Sequence, residues 1–326
     1  ARGSARRLFS LVYGVGILVT VFLSNDATAV VLTPAVYAVA RRAGVEPLPY
    51  LFICAFIANA ASFVLPISNP ANLVVYGERL PPLLPWIETF AAPSLVAVAS
   101  TYAILRWTQR AELQKPLASA PDVETLSPAG RAAGVALVIA AVVLVGASAL
   151  GRDLGLPTLA CGSLALAAAA VIAGRSPMPA LKHVAWGVLP LVAGLFILVA
   201  GLEHVGGIRF IADWLSQHDS IAPGQTALLA GLAAGVGTNI VNNLPLGLLA
   251  GAAGHAAQAP DKVMAGLLIG VDLGPNLSVT GSLATLLWLL AIRREGAHVG
   301  ALRFLKLGAL VMPPALVLAL TALVLT

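Results

Sequence analysis

Three polar residues, Ser24-Asn25-Asp26, interrupt a stretch that is otherwise almost wholly apolar from Leu8 to Ala40. The arms on either side, Leu8 to Leu23 and Ala27 to Ala40, hold 16 and 14 residues. A helix needs about 20 to cross a bilayer. Arms this short form either one long broken helix or a re-entrant hairpin with Asn25 and Asp26 at its tip. Arg2, Arg6 and Arg7 precede the first arm, and Arg41 and Arg42 follow the second. Because Lys and Arg gather on the cytoplasmic side of a membrane, basic clusters at both ends favour the hairpin.

The same pattern returns. Val241-Asn242-Asn243 breaks the apolar stretch Ala222 to Gly254. Some forty residues after each break lies another polar cluster, Ser68-Asn69-Pro70-Ala71-Asn72 in the first case and Thr280 to Thr285 in the second. The first cluster and Pro66 divide Pro49 to Tyr76, and the second divides Val263 to Ile292. Proline removes a backbone donor and disrupts a helix, so Pro49 to Tyr76 reads as a discontinuous crossing, and Val263 to Ile292 as its counterpart. Pro85 to Leu105 and Leu307 to Val324 are closing spans. Ala132 to Leu150, Pro157 to Ala173 and Ala185 to Leu202 are three more, and Ile208 to Leu215 reads as a short amphipathic surface helix.

Composition agrees. Residues are 59% hydrophobic and 10% charged, against about 25% charged in a soluble domain, which makes this an all-α polytopic membrane protein. The net charge of +5 lies between apolar segments rather than on one soluble face, so nucleic acid is not a partner and the bilayer is. Threaded with both hairpins, the chain puts 15 basic residues inside and Arg79, Arg152, Arg209 and Lys262 outside. That bias orients the halves as inverted repeats. Residues 1–106 form the first repeat, 107–130 a cytoplasmic linker with Pro116, Pro121 and Pro128, and 131–326 the second repeat. Three spans precede the second hairpin and none the first, so N-terminal spans of about 70 to 90 residues are expected before Ala1.

A broken helix leaves backbone groups that are tolerated at membrane depth only beside a cavity or inside protein. Four breaks meeting at mid-depth would form a polar pocket with helix N-termini directed into it. Asn25, Ser68, Asn69, Asn72, Asn242, Asn243, Thr280, Ser282 and Thr285 would line it. Their amides and hydroxyls both donate and accept, which suits a small polyhydroxylated solute. The plainer alternative is that they only cap broken helices. Asp26 and Asp272 are the acids inside apolar segments, and an intramembrane acid is a functional hypothesis by default. Either is able to carry a proton or neutralise a cation; otherwise Asp26 is a helix cap and Asp272 a buried hydrogen-bond partner of a broken-helix amide. Asn59 occupies the position of Asp272 when the crossings are overlaid on Asn69 and Ser282. Trp86, Trp107, Trp186 and Trp288 near span ends read as interfacial anchors. Cys54 and Cys161 lie in apolar segments and form neither a disulfide framework nor a thiolate site. No nucleotide-binding loop, metal-ligand spacing or nucleophile–base pair appears, so an enzyme is disfavoured and neither a cofactor nor a structural metal ion is expected.

Gly270-Val271-Asp272-Leu273-Gly274-Pro275-Asn276, followed by Thr280-Gly281-Ser282-Leu283-Ala284-Thr285-Leu286-Leu287-Trp288-Leu289, resembles the C-terminal signature of the bacterial arsenical pump membrane proteins, the arsenite efflux permeases of the ion-transporter superfamily. Asn242-Asn243-Leu244-Pro245 is similar to that family's Asn-Asn-Leu-Pro motif. Asn25-Asp26, Leu32-Thr33-Pro34 and Ser68-Asn69 match it in the first half. The resemblance covers essentially the whole chain. It implies export of trivalent arsenite or antimonite from the bacterial cytoplasm across the inner membrane, coupled to proton entry, with occasional pairing to a soluble arsenite-stimulated ATPase. Pro70-Ala71-Asn72 resembles the sodium/proton antiporter and dicarboxylate branches equally, which keeps those two as alternatives. A homodimer is left open by the sequence.

Overall fold

The computed structural model describes residues 4–116, 127–183, 186–219 and 222–326. Arg2, the linker residues 117–126 and the start of the span at Ala185 lie outside the described residues. No strand occurs among the described residues; the chain is helical throughout apart from turns and one isolated bridge between Ser4 and Pro116.

α1 (Ala5–Phe22) stops where the apolar run meets Ser24, which has φ 153° and caps the next helix by accepting from the Ala27 N–H. The chain then reverses. Thr20 Oγ1 and Thr28 Oγ1 share a hydrogen bond at 2.8 Å, whereas eight residues of straight helix would separate them by about 12 Å. α2 (Asn25–Ala27) runs through a π-helical turn, Thr28–Leu32, into α3 (Thr33–Arg42). Pro34 explains that turn, because its ring cannot follow a regular helix without displacing the preceding carbonyls. Thr33 Oγ1 donates to the Thr28 carbonyl there.

The broken crossings are α4 (Leu48–Ala60) with α5 (Pro70–Tyr76), and α14 (Asp261–Leu273) with α15 (Leu283–Arg294). A short 3-10 turn lies in each gap, Pro66–Ser68 and Gly274–Leu277. Every residue from Pro49 to Ala60 and from Val263 to Leu273 is buried. A helix apolar on all sides belongs in an interior, and these two form the centre of the molecule. α6 (Leu83–Thr108) and α16 (Ala301–Leu325) pack on each other.

Between α6 and Gly207 come α7 (Pro128–Ala149), α8 (Gly155–Ala173), α9 (Met178–His183) and α10 (Val188–His204). α7 and α8 pair with each other and leave apolar side chains such as Val138 and Leu159 exposed, as a lipid-facing helix does. α1, α6, α8, α16 and residues 130–149 of α7 are long and apolar enough to cross a membrane. α11 (Gly207–Asp219) buries Ile208, Ala212 and Leu215 while Arg209 and Asp213 stay exposed, the amphipathic pattern read from the sequence. α12 (Pro223–Val241) and α13 (Asn243–Ala256) are joined at Asn242, with φ 77°. Here too the chain folds back, because a Cβ on Gly237 would stand 3.1 Å from the Leu246 side chain.

Two of the tryptophans are not interfacial. Trp86 and Trp288 are fully buried and donate to the carbonyls of Phe63 and Leu51. Trp86 lies in the first turn of α6 and Trp288 in the middle of α15, and both positions sit inside the bundle. Trp107 and Trp186 are exposed.

α12 and α14 approach through glycine. A Cβ on Gly266 would collide with the Ala227 carbonyl, one on Gly270 with the Gly231 carbonyl, and one on Gly274 with the Gly235 carbonyl. Small residues spaced by four let transmembrane backbones touch. Gly270→Leu therefore lowers the thermal unfolding temperature in detergent by overpacking, a cost of about 1–3 kcal/mol or more. Gly14→Ala, which meets nothing within 4 Å, leaves that temperature unchanged.

Candidate functional site

The four breaks meet at one small cavity lined by Asn25, Asp26, Asn69, Pro70, Asn243, Leu244, Leu283 and Ala284. Each successive pair opens a helix. Asn25 and Asp26 begin α2, Asn69 caps α5 and Pro70 starts it, Asn243 and Leu244 begin α13, and Leu283 and Ala284 follow the cap Ser282 of α15. Helix starts carry partial positive charge and backbone donors, so their convergence gives the cavity an electropositive frame with one carboxylate, Asp26, set into it. The cavity measures about 10 Å³, room for about one water molecule. The site is closed.

Side-chain caps hold the breaks open as turns. Asn69 Oδ1 accepts from the Ala71 N–H at 3.0 Å, and Ser282 Oγ from the Thr285 N–H at 3.3 Å. Asn25 Oδ1 accepts from the Asp26 N–H at 2.8 Å. Within each half the broken crossing is pinned to its reversing turn. Ser68 Oγ donates to the Val21 carbonyl at 2.9 Å. In the second half Thr280 Oγ1 donates to the Asn239 carbonyl, Asn242 Nδ2 to the Thr280 carbonyl and the Asn243 N–H to the Gly281 carbonyl.

Between halves the connection is reciprocal. Asp272 on α14 accepts from Asn69 Nδ2 at 2.8 Å and contacts Ser62 Oγ at 2.7 Å. Asn59 on α4 donates from Nδ2 to Asn276 Oδ1 at 3.0 Å and to Thr285 Oγ1 at 3.3 Å. Each stands ten residues before the cap of its own crossing, and each reaches the break of the other half.

Of the residues expected to line the site, Asn25, Asn69, Asn243 and Asp26 face the cavity. Asn243 Oδ1 is buried and has no hydrogen-bond partner, which leaves an acceptor there. Ser282 and Asn242 cap the adjoining helices. Ser68, Asn72 and Thr285 are buried one layer out, where Asn72 Nδ2 serves the carbonyls of Ser62 and Leu65. Thr280 is exposed and bonded to the Asn239 turn. Asp272 lies behind Asn69 rather than in the lining. Sequence reading missed Ser62, Asn239 and Asn276. Asn239 Nδ2 donates to the Gly274 carbonyl and its Oδ1 accepts from Ser278 Oγ. Ser62 and Asn239 gave only polarity within an apolar segment as a signal, whereas Asn276 also closes the Gly270 to Asn276 run. Among the described residues no group of three or more His, Cys, Asp or Glu could hold a metal ion.

A family model described as "Citrate transporter" matches residues 1–292. The chain is 25% identical over 343 residues to an "Arsenical pump membrane protein" of Escherichia coli and to one of Yersinia enterocolitica, covering 99% of this chain and 78% of each relative. It is 24% identical over 340 residues to an uncharacterized transporter of Mycobacterium tuberculosis, covering 98% of this chain and 77% of that one.

The two caps are predicted to differ in weight. Ser282→Ala removes a cap alone and costs about 1 kcal/mol. Asn69→Ala removes a cap and also strips the buried Asp272 of a donor, adding about 1–3 kcal/mol. Parallel thermal melts in detergent should rank Asn69→Ala clearly below Ser282→Ala.

Proposed function

The chain belongs to the Citrate transporter family, and on that premise we propose that it exports trivalent arsenite and antimonite across the bacterial inner membrane in exchange for protons. It is a multi-pass membrane protein of the transporter class. The observation that carries the substrate is the lining. It offers amides, helix starts and a carboxylate, and it contains neither Lys nor Arg. Arsenous acid is neutral and trihydroxylated near neutral pH. Its hydroxyls meet an open acceptor at Asn243 Oδ1, and its oxygens meet the electropositive helix starts. The names of the Escherichia coli and Yersinia relatives support the same cargo.

The halves are read as inverted repeats, each a re-entrant hairpin followed by a broken helix and a closing span. Their matched reversing residues, Ser24 and Asn242, and their matched caps, Asn69 and Ser282, support that reading. A cavity of about 10 Å³ cannot hold the solute, so binding requires the helix starts to part, first toward one side and then toward the other. Asn25, Asn69, Asn243 and the caps Asn242 and Ser282 form the solute shell. Ser68, Asn72, Thr280 and Thr285 hold the loops that present it. Asp26 and Asp272 are the candidate proton carriers. A soluble arsenite-stimulated ATPase and a second copy of the chain are partners to test by co-purification.

A carboxylate cargo is the second reading, favoured by the family's own description and by the helix starts, and opposed by Asp26 in the lining. A sodium/proton antiporter would use the same two acids. Inside-out vesicles separate the three. Arsenite uptake should rise with an imposed proton gradient while succinate and sodium uptake stay at background, and Asp26→Asn should reduce arsenite uptake at least several-fold. Gradient-driven succinate or sodium uptake without arsenite uptake would transfer the assignment to that cargo.

A further inference from the structure

Ser62 Oγ stands 2.7 Å from the Asn59 carbonyl oxygen and 2.7 Å from Asp272 Oδ2. Both distances are those of a good O–H···O hydrogen bond. Ser62 brings a single proton and a carbonyl brings none, so one of the two contacts needs a proton from elsewhere. We infer that Asp272 is a built proton site: in the closed arrangement its Oδ2 carries a proton and donates to Ser62 Oγ, which donates in turn to the Asn59 carbonyl. Asp272 Oδ1 remains free to accept from Asn69 Nδ2. The neutral carboxyl satisfies every contact. The ionised one would accept the Ser62 proton and leave Ser62 Oγ 2.7 Å from the Asn59 carbonyl oxygen with no proton between them, and it would bury a charge without a counter-charge.

The surroundings supply no such counter-charge. α4, α5, α12 and the Gly274–Leu277 turn carry no charged residue, only the titratable Tyr50, Cys54 and Tyr76. On α14 itself Asp261 and Lys262 lie about 15 Å away along the axis, at 1.5 Å per residue. His255 is at the far end of α13. Glu88 of α6 and Arg303 and Lys306 of α16 are exposed, while Arg106 of α6 is bonded to Tyr102. Asp26 lines the same cavity as Asn69.

The site is wired to the pocket. Asn69 joins the two, giving Nδ2 to Asp272 and Oδ1 to the start of α5. When the pocket opens and admits water beside Asn69, the proton passes from Oδ2 to that water, and the resulting carboxylate and Ser62 hydroxyl no longer fit the closed geometry. This consequence for exchange rests on the transport reading above; the proton itself does not.

Infrared difference spectroscopy of the full chain in lipid tests the assignment without any solute. Near neutral pH the protein should show a protonated-carboxyl C=O band that shifts on deuteration, disappears in Asp272→Asn and persists in Asp26→Asn. Asp272→Asn keeps the closed hydrogen bonds, since its Nδ2 donates to Ser62 and its Oδ1 accepts from Asn69. Should that variant fail to fold, Ser62→Ala replaces it and should move the band to higher frequency, because the donated bond is lost. No band in the parent protein, a band indifferent to Asp272→Asn, or a band unmoved in Ser62→Ala would overturn the inference. Loss of arsenite transport with the band in place would instead count against the cargo alone.

Discussion

A helix broken inside a bilayer leaves backbone donors and acceptors that lipid cannot satisfy, and the side chains that satisfy them here also decide the shape of the site. Asn69, Asn242, Ser24 and Ser282 cap the helices that start at the breaks. Ser68, Asn72, Asn239 and Thr280 occupy the carbonyls left at the ends that precede them. With the backbone supplied in this way, all four helix starts can face one another across a few ångströms. The pocket is therefore the place where the requirement for hydrogen bonds is met from four directions at once.

The frame repeats, but the charges on it do not. Asp26 and Leu244 hold the same position two residues after Ser24 and Asn242. Asp272 and Asn59 hold the same position ten residues before Ser282 and Asn69. Geometry alone asks for an amide or an acid at these points, since Asn59 makes a cross-half connection as readily as Asp272 does. A second acid at either level would place like charges close together in a medium that screens them poorly. The result is one acid in the lining, Asp26, and one behind it, Asp272.

Much of this arrangement was legible in the sequence because the membrane imposes lengths. The polar breaks at Ser24 and Asn242 and the proline-bounded clusters at Asn69 and Ser282 interrupt apolar runs too short to span otherwise, and the helices begin and end within a few residues of those marks. What was not legible depends on partners distant in the chain. The Asp272–Asn69 bond joins residues 203 apart and the Asn59–Asn276 bond residues 217 apart, which no local spacing encodes. Trp86 and Trp288 show the same limit. A tryptophan near the end of an apolar segment has the same pattern whether that end lies at the interface or inside the bundle, and only the carbonyls of Phe63 and Leu51 distinguish the two.

The seams around the pocket differ in strength. α12 meets α14 backbone to backbone at Gly231, Gly235, Gly266 and Gly270, and α13 meets α5 in the same way where Gly251 faces the Val75 carbonyl. Sliding along either seam would drive carbonyls into Cα atoms, so each pair resists sliding. Between the two pairs the joints are softer. α12 passes to α13 through Asn242 at positive φ, and α13 touches α14 partly through the flexible Met264 side chain at Gly254. Polar ties cross there too: Asp272 on α14 bonds Asn69 on α5, and the Asn243 N–H at the start of α13 bonds the Gly281 carbonyl in the break after α14. Exchanging one hydrogen bond for water costs about 1 kcal/mol, far less than unpacking a glycine seam. On the transport reading proposed above, widening the cavity therefore costs least at the Asn242 turn and at the hydrogen bonds of Asn69 and Asn243, two residues that line the pocket.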